Sequence, residues 1–291
     1  MSNVVYKVVT DQILNIMHEQ GIIPWEKPWV NGNCPARGYE MRPGDCYTGI
    51  NRILLPFQGE YLSRTQVEKH GGRIIDWHKS YIVTFYKEIT RREATGEDAL
   101  QEETPRGTFR VLRYYRVFHI DNVEGVEPRV KVRSDNAASM QPVEAAEGVV
   151  SAYLERSGVR LTHTRGDEAG YSESEDRVTI PHMDQFNNVE SYYSVLFHEL
   201  VHSTGHEERL CRDVRQAAYD GNENRFTREE LVAEMGAAFL MSRCGLDIEK
   251  VIRNTAARLQ GWINAFQNDV VMLTWAAGKA EKAVNMILGE V

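Results

Sequence analysis

Residues 189–205 read VESYYSVLFHELVHSTG, and this stretch decides the fold of the second half of the chain. Val195, Leu196, Leu200 and Val201 recur at helical spacing, and Gly205 supplies a stop. Within it lies His198-Glu199-Leu200-Val201-His202. On a helix, positions i and i+4 share a face, so both imidazoles can reach one ion. Zinc takes imidazole nitrogen at about 2.0–2.1 Å and keeps a place for water in catalytic sites. Glu199 is then the general base beside a water whose pKa the ion lowers to about 7. A chain of 291 residues with 9 His yields by chance only about 0.03 patterns of this kind.

Two imidazoles leave the ion short of a third protein ligand. REELVAEMGAAFL (228–240) lies in a second helix expected over 228–244, and Glu230 and Glu234 lie four apart on one face of it. Ala233, Gly236 and Ala237 are small enough to let that helix approach the first. Glu230 is expected as ligand and Glu234 as the acceptor that orients a ligand histidine. The reverse assignment stays open. The alternative pattern HExxHxxGxxH finds its glycine at Gly205, but its third histidine position holds Glu208.

Working outward, Pro142 opens a helix that runs to Ser157, and VRLTHT and DRVTIP read as short strands after it. Two final helices are expected over about 247–267 and 269–288. Towards the amino terminus, 4–20 has helical spacing and Gly21 as its stop. PWEKPW (24–29) is broken by two prolines and reads as an extended loop offering two indoles. GINRILLPF (49–57) reads as a short buried helix, and 62–70 as another. YIVTFY (81–86) and TFRVLRYYRVFH (108–119) are strands joined by a polar loop, and 126–141 is a linker.

The longer strand carries Arg110, Arg113, Tyr114, Tyr115 and Arg116. Alternation places Arg110, Tyr114 and Arg116 on one face and Arg113 and Tyr115 on the other. Guanidinium groups pair with phosphates, and aromatic faces stack unpaired bases without demanding sequence. Trp25, Lys27, Trp29, Tyr47, Asn51 and Arg52 would complete a groove for single-stranded DNA, while the same alternation also reads as an ordinary half-buried strand with its tyrosines in the core and its arginines in water. Charge adds no support for the first half as a polyanion binder, though local arginine clusters still allow it, and makes the second half a poor candidate. Residues 1–130 carry 17 Lys and Arg against 17 Asp and Glu, whereas 131–291 carry 17 against 25, so the net charge of −8 sits in the second half. No apolar run is long enough for a membrane helix, the amino terminus lacks the order of a secretory signal, and four scattered cysteines are expected as reduced thiols. A cytoplasmic protein with no membrane partner is the expectation.

PWEKPW, YTGINRILL, YIVTFYK, RYYRVF, HELVHSTGH, EELVAEMGAAFL and the closing AARLQGWINAFQND and AAGKAEKAVNMIL together resemble the ArdC-type antirestriction proteins along nearly the whole chain. The resemblance implies an α+β protein of two domains. The first, 1–125, is an α/β domain that binds single-stranded DNA. The second, 142–291, is a zincin-like metallopeptidase domain built on the HExxH helix. Trp25, Trp29, Tyr47, Gly49 and Asn51 match the first domain's motifs; His198, Glu199, His202 and one of Glu230 or Glu234 match the metal motif. The resemblance also implies carriage on plasmids or phages and protection of incoming DNA from host restriction. The cofactor expected is Zn2+, with Mn2+ as another divalent metal that suits the donors. The partners are single-stranded DNA and a restriction-system or other protein substrate. Two other functions use the same residues: a DNA-binding protector whose metal site is purely structural, and an intracellular zinc peptidase with no DNA role.

Overall fold

The computed structural model describes residues 2–26, 35–38, 46–55, 57, 59–90, 108–129, 142–166, 168–212, 227–251 and 256–290. They divide into two compact units. One comprises residues 1–16, 33–132 and 269–274, the other 17–32, 133–268 and 275–291. A single cut in the sequence therefore does not separate them: 17–32 belongs with the second unit and 269–274 with the first.

The elements follow in chain order. Helix α1 (Ser2–Gln20) ends at Gly21, whose φ of +64° suits a residue without a Cβ. Strand β1 (Pro35–Arg37) and helix α2 (Ile50–Leu54) precede strand β2 (Gly59–Ser63) and helix α3 (Arg64–Lys69). Leu62 lies in the strand, not in the helix expected over 62–70. Ser63 starts α3 through a capping box with Gln66. Strands β3 (Arg73–Ile74), β4 (Tyr81–Thr90), β5 (Thr108–His119) and β6 (Val123–Glu124) complete the first unit. Its main sheet has the order β1-β2-β5-β4, with β1 parallel to β2 and the other pairs antiparallel. The β4–β5 ladder runs from Tyr81 opposite Val117 to Thr90 opposite Thr108, as the paired hydrophobic runs require. Leu62, Val67, Ile74, Phe118, Ile120 and Val123 form one core cluster beneath it, and Tyr47, Leu55, Tyr61, Val83 and Val117 another.

The second unit holds helix α4 (Pro142–Ser157), strands β7 (Arg160–Thr164), β8 (Gly170–Ser172) and β9 (Arg177–Pro181), and helices α5 (Val189–Ser203), α6 (Arg228–Cys244), α7 (Ala256–Asn268) and α8 (Met272–Leu288), the last beginning in the first unit's segment. The strands form a sheet of order β7-β9-β8, in which β8 is a short strand that the sequence pattern does not reveal. Between α6 and α7 lies a 3-10 turn (Ile248–Lys250) where helix was expected from 247. Asn188 caps α5 by accepting from the Ser191 amide at 2.7 Å, and Thr227 caps α6 by accepting from the Glu230 amide at 3.2 Å. Helices α5 and α6 pack closely because Gly236 has no Cβ: one added there would stand 2.7 Å from a Val201 methyl.

Cys46 is disulfide-bonded, with its partner outside the described residues, which corrects the expectation of four reduced thiols. Cys211 and Cys244 are free. Among the described residues, no helix is long and apolar enough to cross a membrane.

Candidate metal centre and nucleic-acid face

The cap at Thr227 puts Glu229 and Glu230 in the first turn of α6, where the helix dipole favours negative charge. The close α5–α6 crossing then brings that turn against His198 and His202. The two Nε2 atoms lie 3.2 Å apart. Glu230 Oε2 is 3.4 Å from His198 Nε2, and its Oε1 is 3.5 Å from His202 Nε2. Two donors on a tetrahedral zinc, each bonded at roughly 2.0–2.1 Å, stand about 3.3–3.4 Å from each other. The two imidazole nitrogens therefore stand at nearly that spacing, the carboxylate turns one oxygen to each of them, and the nitrogen and carboxylate donors suit zinc or manganese. Among the described residues this is the one such cluster of His, Cys, Asp and Glu.

Charge follows the geometry. Burial opposes a charged Glu230, but hydrogen bonds from His198 and His202 outweigh it and hold the carboxyl well below the usual range. Burial likewise opposes a charged His202, yet its hydrogen bonds to Glu229 and Glu230 and the charges of Glu199 and Glu230 lift it to about 10. Glu229 is buried too and is still held low by hydrogen bonds from His202 and Arg212. Glu199 is 8 % exposed, and no donor among the described residues reaches its carboxylate.

On the first unit, a groove of about 910 Å3 is lined in part by Arg64, Trp77, Phe85, Tyr114, Tyr115 and Arg116, with no carboxylate among its lining residues. Trp77 is 54 % exposed. Its ring meets Phe118 edge-on at 5.5 Å, and the Arg64 guanidinium lies 5.3 Å over it. The turn that carries it is held by Asn122, which accepts from the Asp76 amide and donates to the Asp76 and Lys79 carbonyls. Arg116 donates to Ser80 Oγ at 2.8 Å, and Arg110 pairs with Glu88 across the ladder at 3.2 Å. Arg113 is half-buried.

Residues 3–118 match the family described as the N-terminal domain of anti-restriction factor ArdC, and residues 148–279 match the zincin-like metallopeptidase family. The chain superposes on crystal structures of the antirestriction protein ArdC from the R388 plasmid in metal-free and Mn(II)-bound forms. The TM-scores are 0.70 and 0.71, with 26% identity, covering 97% and 98% of this chain and 96% and 97% of those chains. The chain is an ArdC-type protein. Two proteins of Escherichia coli called DNA primase TraC are 29% and 30% identical over 97% and 98% of the chain. The chain spans only 20% and 27% of their lengths. An uncharacterized protein, y4eC, of Sinorhizobium fredii is 26% identical over 96% of the chain and 89% of its own length.

Against this ArdC-type frame, the expected site residues fall into three groups. His198, His202 and Glu230 come together, with Glu199 on the same helix as the two histidines. Glu234 does not join them. It ion-pairs with Arg258 at 2.8 Å and accepts from Trp25 Nε1 at 3.3 Å. The acceptor for His202 is instead Glu229, whose Oε1 lies 3.4 Å from Nδ1.

Several expected DNA contacts have other work. Trp25 is fully buried against the rings of Trp262 and Phe266, at 5.9 and 5.8 Å, so it offers no stacking face. Asn51 is buried, and its carboxamide acts as a short stand-in strand on the open edge of β4. It donates to the Thr84 carbonyl at 2.8 Å and accepts from the Thr84 amide at 2.6 Å. Arg52 and Tyr47 are buried as well; Tyr47 lies beside Tyr115, and burial above all pushes its phenol up. Lys27 and Trp29 lie outside the described residues. Reading by sequence missed Glu229, Arg212, Arg64 and Trp77. Only Trp77 left a trace, as an aromatic residue in the polar turn of GGRIIDWHKS.

Proposed function

We propose that this chain is an antirestriction protein that binds single-stranded DNA on its first unit and carries a zinc-dependent, metallopeptidase-like site on its second. The observation that carries the reading is the convergence of His198, His202 and Glu230: the two Nε2 atoms stand 3.2 Å apart, and the Glu230 oxygens lie 3.4 Å from one and 3.5 Å from the other. The ArdC relative with a Mn(II)-bound structure supports a divalent ion, and the donor set admits Zn2+ or Mn2+ here.

A bound divalent ion supplies Lewis acidity, polarising a carbonyl and lowering the pKa of water to about 7. The residues do the rest. His198 and His202 present Nε2, and Glu230 presents its carboxylate. Glu199 accepts from no donor among the described residues, so its carboxylate can take the proton of the attacking water and deliver it to the departing amine. The protein substrate is a component of a restriction system or another partner protein, and the site of action is the cytoplasm, where incoming plasmid or phage DNA meets restriction.

The DNA-facing residues of the first unit are Arg110, Arg113, Tyr114, Tyr115 and Arg116, with Arg64 and Trp77 added by the groove. The test is a plasmid-transfer assay against a restricting host with Glu199→Ala. Loss of protection with metal content and folding intact supports hydrolysis; unchanged protection refutes it and leaves a DNA-binding protector. In parallel, a gel shift on single- and double-stranded oligonucleotides should show a single-strand complex that weakens steeply with salt. No shift at low salt removes the DNA role.

A further inference from the structure

Arg212 and Glu229 form a buried pair beside the metal centre, with side chains only 2% and 3% exposed. The fork of Arg212 meets Glu229 in two bonds, Nε to Oε2 at 3.0 Å and Nη2 to Oε1 at 2.9 Å. The same guanidinium donates from Nη2 to the Val201 carbonyl at 2.7 Å and from Nη1 to Thr204 Oγ1 at 2.8 Å. Val201 and Thr204 stand at the end of α5, which carries His198 and His202, while Glu229 stands in the first turn of α6, next to Glu230. One guanidinium therefore ties together the two helices that supply the three donors. The backbone prepares it for this: the Arg212 amide donates to the Gly205 carbonyl at 2.8 Å, turning the chain back over the helix end.

We infer that Arg212 is a positioning residue that fixes the tautomer and orientation of His202 through Glu229, and so sets the affinity of the centre for its ion. This rests on the metal site proposed above. A carboxylate paired with a guanidinium can only accept a hydrogen bond, so the His202 nitrogen facing it, Nδ1, must carry the proton. Nε2 is then left with its lone pair towards His198 and Glu230. The other tautomer would set a lone pair of His202 against the carboxylate and a proton against the ion. Glu229 cannot relax away from this duty, because Arg212 holds both of its oxygens.

The test separates positioning from mere packing. Zn2+ is titrated into metal-free full-length protein against a chromophoric chelator, and the His202 tautomer of the zinc-loaded protein is read from two-bond proton–nitrogen correlations. Arg212→Lys keeps a charge but loses the fork, and zinc binding should weaken by about 10- to 100-fold. The double variant Arg212→Met/Glu229→Leu removes both charges together, so no uncompensated ion stays buried, and its thermal midpoint should stay near that of the parent protein. Its zinc affinity should nevertheless remain 10- to 100-fold down, with the Nδ1 proton signature lost. A double variant that binds zinc as the parent does would make the pair packing only and overturn the inference. If that variant fails to fold, Arg212→Lys decides alone: parental zinc affinity there overturns it. A parent protein that takes up no zinc or manganese would sink the metal site itself, a failure distinguishable from the others.

Discussion

Replacing Trp25 by alanine should damage the second unit and not the DNA face. The indole is fully buried, packed edge-on against Trp262 and Phe266 at 5.9 and 5.8 Å, and its N–H serves the half-buried Glu234 at 3.3 Å. Truncating a buried aromatic side chain to alanine costs about 3–5 kcal/mol, because the cavity left behind collapses only in part. Glu234 keeps Arg258 at 2.8 Å, so the lost donor adds no more than about 1 kcal/mol. For a folding unit of this size, such a loss lowers the thermal midpoint by roughly 6–20 °C. Urea unfolding followed by tryptophan fluorescence and by zinc content would measure it. Trp25→Phe, which keeps most of the apolar volume and drops only the donor and part of the ring, should cost about 1–3 kcal/mol. Single-stranded oligonucleotide affinity, measured at a temperature where both variants remain folded, should change less than twofold. An unchanged urea midpoint with a collapse in oligonucleotide binding would refute the reasoning and return Trp25 to the role of a stacking face.

Gly236→Ala should push α6 off α5, since its Cβ would stand 2.7 and 3.0 Å from the Val201 methyls. A cost of about 1–3 kcal/mol in urea and reduced zinc uptake are the expected results, and parental zinc uptake would contradict the tight crossing. Asn51→Asp keeps the shape but turns an acidic oxygen towards the Thr84 carbonyl, so the first unit should lose about 1–3 kcal/mol, measured by hydrogen exchange along β4. In the metal-free protein, His202 is raised from 6.5 to about 10. The folded state thus binds more protons than the unfolded state between those values, and this contribution to stability is present below the lower value and fades as pH rises through the upper one. The same proton competes with the ion, so zinc affinity should rise with pH, by up to about tenfold per unit across that window. A flat affinity profile between pH 7 and 9 would show that His202 does not carry that proton.

Much of this protein was legible in one dimension because its signals are local. Helices α4 and α6 begin at a proline and a capped threonine and end where periodicity ends, so their bounds of Pro142–Ser157 and Arg228–Cys244 agree with the reading of the sequence. The β4–β5 hairpin follows from two runs of β-formers flanking a polar loop. His198 and His202 sit one turn apart on any helix, so their pairing needs no further information. The sequence by itself determined the types of the longer elements, the paired imidazoles and Glu199 between them.

Only the tertiary structure decided which carboxylates join those imidazoles and which aromatic residues face water. Glu229, Glu230 and Glu234 all belong to one helix, and the crossing of α5 and α6 at Gly236 and Val201 selects which of them turn towards His202. Spacing alone favours Glu234 as the partner of Glu230, whereas packing gives that place to Glu229 and Arg212. Trp25 looks like an exposed indole between prolines until Trp262 and Phe266, more than 230 residues away in the chain, close over it. Periodicity reports a residue's own neighbours along the chain, while burial and ligand choice depend on contacts that folding brings from far along it.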